Sequence, residues 1–249
     1  MDLLKQKKWF YLNNNMSIFL PGQKRQYNFL LKNYNEKPSS ILVIGSASEQ
    51  LAILLNTKFN AIVDLIVEDY DSLMNTKLAL SSNQSINVRM MNFDSTDFSS
   101  EQFDLVYAQA SISLTNRNKI VKEIKRILKI GGYFSVGETT ALKKELPLFV
   151  KNLLDEANLL PLNSEEIEKY YTERKFKIIA RTNLTDTLAS FYSESANLLK
   201  QTEPGLNDKE KSYYKKLVKR ISHESNAYLK LGGDKYIGFE TLLLQKEQS

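Results

Sequence analysis

The sequence predicts an α/β fold: a mostly parallel sheet of about seven strands, covered by helices on both faces, with an antiparallel C-terminal strand. Three observations lead there. Short apolar runs alternate with helical patterns between residues 41 and 138, as successive βαβ units require. The first run, ILVIG, is continuously apolar and ends on glycine, as a strand buried on both faces does. Beyond residue 140 the alternation stops, and two strand-like segments flank a helical stretch, an antiparallel addition to a sheet edge.

Each element follows in order. Residues 1–38 read as a helical N-terminal arm carrying Trp9, Phe10, Tyr11, Phe19 and Tyr27, with a turn at Leu20-Pro21-Gly22 ahead of the helix-like QKRQYNFLLKNY. Strands are expected at 41–45, 61–68, 86–93, 103–109 and 133–138. Helices are expected at 48–59, with Ser48 in the N-cap position, at 71–80, and at 116–130, the most amphipathic segment of the chain. Gly131-Gly132 reads as the left-handed stop of that last helix. A helix at 143–160, a strand at 176–186, two helical stretches around Glu203-Pro204-Gly205, and a final strand at 236–246 complete the chain. The organisation is thus an arm (1–38), a core (39–186 and 230–249) and a helical lid insertion (187–229).

Composition excludes several chemistries. Cysteine is absent and His223 is the single histidine, so no thiolate zinc site, iron–sulfur cluster, disulfide frame or multi-histidine metal centre is available. No metal site is expected. The net charge of +5 comes from 34 basic and 29 acidic residues mixed along the chain. Its short clusters, Lys5-Gln6-Lys7-Lys8 and Lys215-Lys216 with Lys219-Arg220, read as solvated helix faces, and nucleic acid is not the favoured partner. No apolar run approaches the roughly 18 to 20 residues of a membrane span. The N-terminus lacks the apolar stretch of a secretory signal, and a cytoplasmic protein is expected.

In an open parallel sheet, ligands bind beyond the carboxyl ends of the strands. Attention therefore falls on the loops after residues 45, 68, 93 and 109, which read GSASEQ, EDYD, FDSTDF and QASIS. With the paired segments QFDLVYAQ and IKRILKIGGYF, these resemble the class I S-adenosylmethionine-dependent methyltransferases over residues 39–140, and more loosely over 165–246. The resemblance implies a Rossmann-like core and S-adenosylmethionine as cofactor. It implies that Gly45, Ser46 and Ala47 lie beneath the methionine part of that cofactor, with Val43 where the family commonly has an acid and Glu49 where it commonly has a third glycine. It implies an acid at the end of the second strand that accepts both ribose hydroxyls: Glu68 first, then Asp69, then Asp64. It places Asp94 at the adenine amine with Asn92 and Phe93 near the ring, and Ala108 completes the cofactor set.

Residues 107–110 read YAQA and lack the Asn/Asp-Pro-Pro-Tyr/Phe tetrad of enzymes that methylate nucleobase amines. The C-terminal pattern is similar to that of small-molecule methyltransferases of the ubiquinone/menaquinone-biosynthesis-like group. The implied activity is in-line methyl transfer to a small-molecule acceptor, with a homodimer as the candidate assembly. The proton acceptor is unassigned, with His223, Tyr11 and Tyr192 as candidates. Tyr27, Tyr170, Tyr171 and Tyr214 are further candidates to line the acceptor pocket, against a role as aromatic core. The alternatives are a non-catalytic binding subunit on the same fold and an RNA methyltransferase.

Overall fold

A computed structural model describes residues 18–81, 83, 85–202 and 222–248. Trp9, Phe10, Tyr11, Tyr213, Tyr214, Pro204-Gly205 and both basic clusters lie outside these residues. Helix α1 spans Gln23–Asn33. There follow β1 (Ser40–Ile44), α2 (Glu49–Phe59), β2 (Ile62–Val67), α3 (Tyr70–Ala79), β3 (Ile86–Met90), β4 (Phe103–Gln109), α4 (Arg117–Ile127) and β5 (Leu128–Ala141). The C-terminal part holds α5 (Leu148–Glu156), β6 (Leu162–Asn163), α6 (Ile167–Thr172), β7 (Phe176–Asn183), α7 (Thr187–Thr202), a helix at 222–229 and β8 (Ile237–Lys246).

The sheet order is β3-β2-β1-β4-β5-β8-β7, with the short β6 on β5. Strands β1 to β5 pair in parallel, and β8 runs antiparallel to both β5 and β7. Successive side chains of a strand point to opposite faces. Ile41 and Val43 accordingly join Val63, Leu65, Leu105 and Tyr107 against α1 and α2, while Leu42 and Ile44 join Val106, Phe134 and Val136 against α4. Helix α4 presents Ile120, Val121, Ile124 and Ile127 to that second core, the spacing of one helical face. The strand order reverses between β1 and β4, which puts the switch point of the fold beside Gly45.

The glycine pair plays a different part from the one expected. Helix α4 ends at Ile127, Leu128 is already extended, and Gly131-Gly132 lie inside β5. Phe103 pairs with Leu128 and Leu105 with Tyr133, so the pair belongs to a bulge in β5. Gly131 has φ 74°, and a Cβ on Gly132 would stand 2.8 Å from the Lys129 carbonyl oxygen. The apolar pattern runs through Leu128 and Ile130, but Ile130 is exposed, so periodicity alone carried the helix too far. Three other elements are also shorter than expected. Strand β3 stops at Met90, β7 stops at Asn183, and α5 starts after Pro147, which supplies no amide hydrogen inside a helix.

The amino ends of the strands are tied by one carboxylate. Asp104 Oδ2 accepts from the amides of Ser39 and Ser40 (2.9 and 3.0 Å) and from their hydroxyls (2.7 and 2.9 Å), and Oδ1 accepts from Lys129 Nζ at 2.6 Å. This joins the starts of β1 and β4 to the β5 bulge. Burial raises the Asp104 carboxyl, but the hydrogen bonds from Lys129, Ser39 and Ser40 outweigh it and hold the group well below its ordinary 3.8. A depressed folded-state value contributes stability above the unfolded value and loses it as the pH falls through the folded one. Asp104→Asn is therefore expected to lower the unfolding free energy at pH 7 by about 1–3 kcal/mol. The gap to the unmodified protein should narrow below about pH 4, which urea titrations at pH 7 and pH 3 would measure.

Candidate cofactor and acceptor site

Gly45 leaves β1 with φ 121°, and a Cβ there would stand 2.6 Å from Ser111 Cβ. Its amide donates to the Ile66 carbonyl at 3.0 Å. Ala47 follows in the left-handed region at φ 60°, where an L side chain is strained by roughly 1–2 kcal/mol. Ser48 stands at the N-cap of α2, yet its buried hydroxyl makes no cap bond and has no partner. Ser46 donates to the Ser72 hydroxyl at 2.8 Å. Of the two departures from the family pattern, Val43 is buried between Leu65 and Tyr107, with no water for a carboxylate. Glu49 accepts from the Thr76 hydroxyl at 2.6 Å, tying α2 to α3.

The three candidate acids of the second strand occupy three different settings. Asp69 caps α3: its Oδ1 accepts from the Ser72 amide at 2.8 Å and its Oδ2 from the Ser72 hydroxyl at 2.6 Å. Burial raises the Asp69 carboxyl, the bonds from Ser72 lower it by more, and the net shift is downward. Asp64 sits within β2, buried, with Arg89 3.3 Å away. Burial pushes its carboxyl up, with Arg89 and Asn87 pulling against it. Glu68 lies past the end of β2, exposed, and the Phe93 amide donates to its Oε1 at 3.0 Å. Asp94 is half-buried and accepts from Asn116 Nδ2 at 3.0 Å. Phe93 is buried in the core, and Asn92 is exposed. The turn they share is held by Glu123, which accepts from the Thr96 amide at 2.9 Å and the Thr96 hydroxyl at 2.5 Å.

At the end of β4, Ala108 is buried and its carbonyl accepts from Gln26 of α1 at 3.0 Å. Gln109 donates to the carbonyls of Pro21 and Gln23 (2.8 and 3.0 Å) and accepts from the Tyr107 hydroxyl at 2.7 Å. Its polar atoms thus pin the N-terminal arm across the strand end. Ala110 then turns the chain at φ 55°. Ser111 donates to the Ile44 carbonyl at 2.7 Å, which seats the loop 110–116 on the glycine loop.

Sequence reasoning missed the polar centre behind this loop. Glu138 of β5 is fully buried; its Oε2 accepts from Ser113 Oγ at 2.7 Å and Arg117 Nε at 3.1 Å, and its Oε1 accepts from the Tyr171 hydroxyl. Arg117 donates in turn to the Leu160 carbonyl. A signal was present: a glutamate closing the apolar run YFSVGE, and an arginine opening α4, both at positions the pattern buries.

The candidate proton acceptors are scattered. His223 lies on the helix 222–229, half exposed, 3.4 Å from Glu156 of α5. Tyr192 packs against Tyr228 with ring centres 4.9 Å apart, and burial, helped by Glu224 and Tyr228, pushes its hydroxyl up. Burial also raises Tyr27, Tyr170 and Tyr171. Tyr171 is core, and Tyr170 carries the Arg174 guanidinium over its ring at 3.6 Å. Tyr11 and Tyr214 lie outside the described residues. No described helix is long and apolar enough to cross a membrane.

The loop geometry gives opposite expectations for two neighbours. Gly45→Ala should destabilise the fold by about 2 kcal/mol or more, because strain and overlap with Ser111 add. Ala47→Gly should stabilise it by a few tenths to about 1 kcal/mol, strain relief exceeding the added chain entropy. Urea unfolding of the two variants checks both, and a loss of stability in Ala47→Gly would refute the strain.

Residues 42–136 match the family described as a methyltransferase domain. No curated protein sequence matches the chain. Among solved structures, the fold is similar to Haemonchus contortus phosphoethanolamine N-methyltransferase 2 in complex with phosphomonomethylethanolamine and S-adenosylhomocysteine (16% identity, TM-score 0.73, 98% of this chain and 57% of that one). It is similar to the Streptomyces coelicolor geranyl diphosphate C-methyltransferase in complex with Mg2+, geranyl diphosphate and S-adenosylhomocysteine (11%, TM-score 0.66, 90% and 77%). It is also similar to the [4+2]-cyclase SpnF (13%, TM-score 0.72, 91% and 81%). At these identities the likeness establishes the fold. Residues 42–136 thus match a methyltransferase-domain family, and the chain shares the Rossmann-like fold of these methyltransferase structures.

Proposed function

We propose that the protein binds S-adenosylmethionine at the carboxyl edge of β1, β2 and β4 and transfers its methyl group to a small-molecule acceptor. The observation that carries this reading is the pairing, at the switch point, of the Gly45 turn with Glu68. Gly45 lets Ser111 approach to where a Cβ would stand, so the loop 110–116 closes against the end of β1. Glu68 stands exposed past β2 with one oxygen taken by the Phe93 amide, which leaves the other for a ribose hydroxyl. Ser48 adds a buried hydroxyl without a partner at the start of α2, where backbone amides favour an anionic group. Asp94, oriented by Asn116, is the acceptor for the adenine amine.

When bound, S-adenosylmethionine supplies a methyl group already activated by its sulfonium charge. The protein has to align an acceptor with it and keep water out. The loop 110–116 forms one wall, seated on the glycine loop through Ser111. Helix α1 crosses the end of β4 through Gln26 and Gln109, and it meets the start of α7 through the Gly22 amide, which donates to Thr187 Oγ1 at 3.1 Å, and through the Arg25–Asp186 pair. In this reading the described parts of the arm (18–38) and of the insertion (187–202 and 222–229) stand on the acceptor side, as in the ubiquinone/menaquinone-like group, and the enzyme works in the cytoplasm. The relatives named for phosphoethanolamine and geranyl diphosphate support a small acceptor. A second reading, a binding subunit without turnover, draws on Ala47 and Glu49 in the loop and on the cyclase that shares the fold; fold alone does not determine chemistry.

Calorimetry with S-adenosylmethionine and S-adenosylhomocysteine tests the proposal, and no binding of either at high micromolar concentration would overturn it. Glu68→Ala should weaken binding roughly tenfold or more, the loss of a charge-assisted hydrogen bond. Asp69→Ala should instead cost about 1 kcal/mol of stability through the lost helix cap and leave affinity unchanged. Reversal of that pair would move the ribose contact to Asp69.

A further inference from the structure

We infer that Glu138 is a positioning residue for the ligand site, a role that rests on the methyl-transfer reading. Its buried carboxylate sets the loop 110–116 that closes over the cofactor. The loop touches the site at two places. Ser111 donates to the carbonyl of Ile44 at the glycine loop, and Asn116 donates to Asp94 after β3. Leu160 N donates to the Ser113 carbonyl at 2.9 Å, which attaches the chain after α5. Its first residue, Ala110, is held at φ 55°, so the loop's shape is imposed by its surroundings.

Glu138 is the charged centre of that imposition. Ser113 and Arg117, inside and just after the loop, both donate to Oε2, and the Thr139 amide donates to the Ser113 hydroxyl at 3.0 Å. The Tyr171 hydroxyl occupies Oε1. A glutamine at 138 has the same shape, but its amide nitrogen would face the donors Arg117 or Tyr171. A buried ionic pair broken on one side leaves the other charge uncompensated, and the relief available to Arg117 is movement of the loop and the first turn of α4.

The molecule contains its own control. Glu240 of β8 lies directly opposite Glu138 in the β5/β8 ladder, equally buried, and holds Arg181 Nε at 2.6 Å together with the Ser164 hydroxyl. None of its partners belongs to the loop 110–116. Glu240→Gln therefore introduces the same kind of fault into the same face of the sheet without releasing the loop.

The test uses the full chain and S-adenosylhomocysteine as the probe. Glu138→Gln should raise its dissociation constant roughly tenfold or more and speed amide exchange across residues 111–116. Glu240→Gln should lower the melting temperature comparably, change affinity by less than about twofold, and leave exchange in that loop as it was. Ser113→Ala, which keeps the Glu138–Arg117 pair and its charge balance, provides the milder variant should Glu138→Gln fold poorly; its affinity should fall roughly threefold. Equal effects of the two glutamine variants on affinity, or normal affinity and exchange in both Glu138→Gln and Ser113→Ala, would overturn the role of Glu138. Absence of binding by the unmodified protein would overturn the methyl-transfer reading itself, so the two failures are distinguishable.

Discussion

Helices cover both faces of the parallel strands, and that constraint decides where polar chemistry can stand in this molecule. A side chain within β1, β2 or β4 meets apolar neighbours on either face, so ionised groups are confined to strand ends or to pairs with a cation. Asp104 gathers the amino ends of β1 and β4 onto Ser39, Ser40 and Lys129. Glu138 and Glu240 perform the corresponding task toward the carboxyl edge, each with an arginine. Asp64 lies within β2, and burial raises its carboxyl against the pull of Arg89 and Asn87.

Such pairs are weak evidence for stability. Taking an arginine and a carboxylate out of water costs several kcal/mol per ion, and apolar replacements of similar volume are often as stable. Their use here is geometric. A bond from Arg117 Nε or Ser113 Oγ to one carboxylate oxygen sets a direction, whereas an apolar contact at the same place would set only a distance. The loop beyond β4 requires that direction, because Ser111 must meet the glycine loop and Asn116 must meet Asp94 from a chain of seven residues.

The glycine loop carries a related compromise. Gly45 has no substitute, since its φ and the approach of Ser111 each forbid a side chain. Ala47 occupies a left-handed conformation that glycine would adopt freely, and Ala110 does the same on the facing loop. Two strained alanines on either side of a candidate ligand site are a local cost carried by the surrounding fold. Glu49, which departs from the usual glycine, is turned to Thr76 of α3, so the departure strengthens the join between two helices.

Local pattern in the sequence determined the alternation of strands and helices, the double burial of ILVIG and FDLVYAQ, and the candidate loops after 45, 68, 93 and 109. Apolar periodicity and turn residues act over a few neighbouring positions, so one segment contains the information. The tertiary structure alone decided which acid keeps an oxygen open and which has both engaged. Glu68 and Asp69 are adjacent and chemically alike, yet Asp69 is consumed by the α3 cap because that helix begins one residue earlier than its apolar pattern indicates. It decided that Gly131-Gly132 form a bulge, because the register of β5 on β4 is a property of two segments about 25 residues apart. It decided that Arg117, Ser113, Tyr171 and Glu138 meet. A hydrogen bond needs its partners within about 3 Å and well aligned, and only the folded sheet brings these distant positions that close.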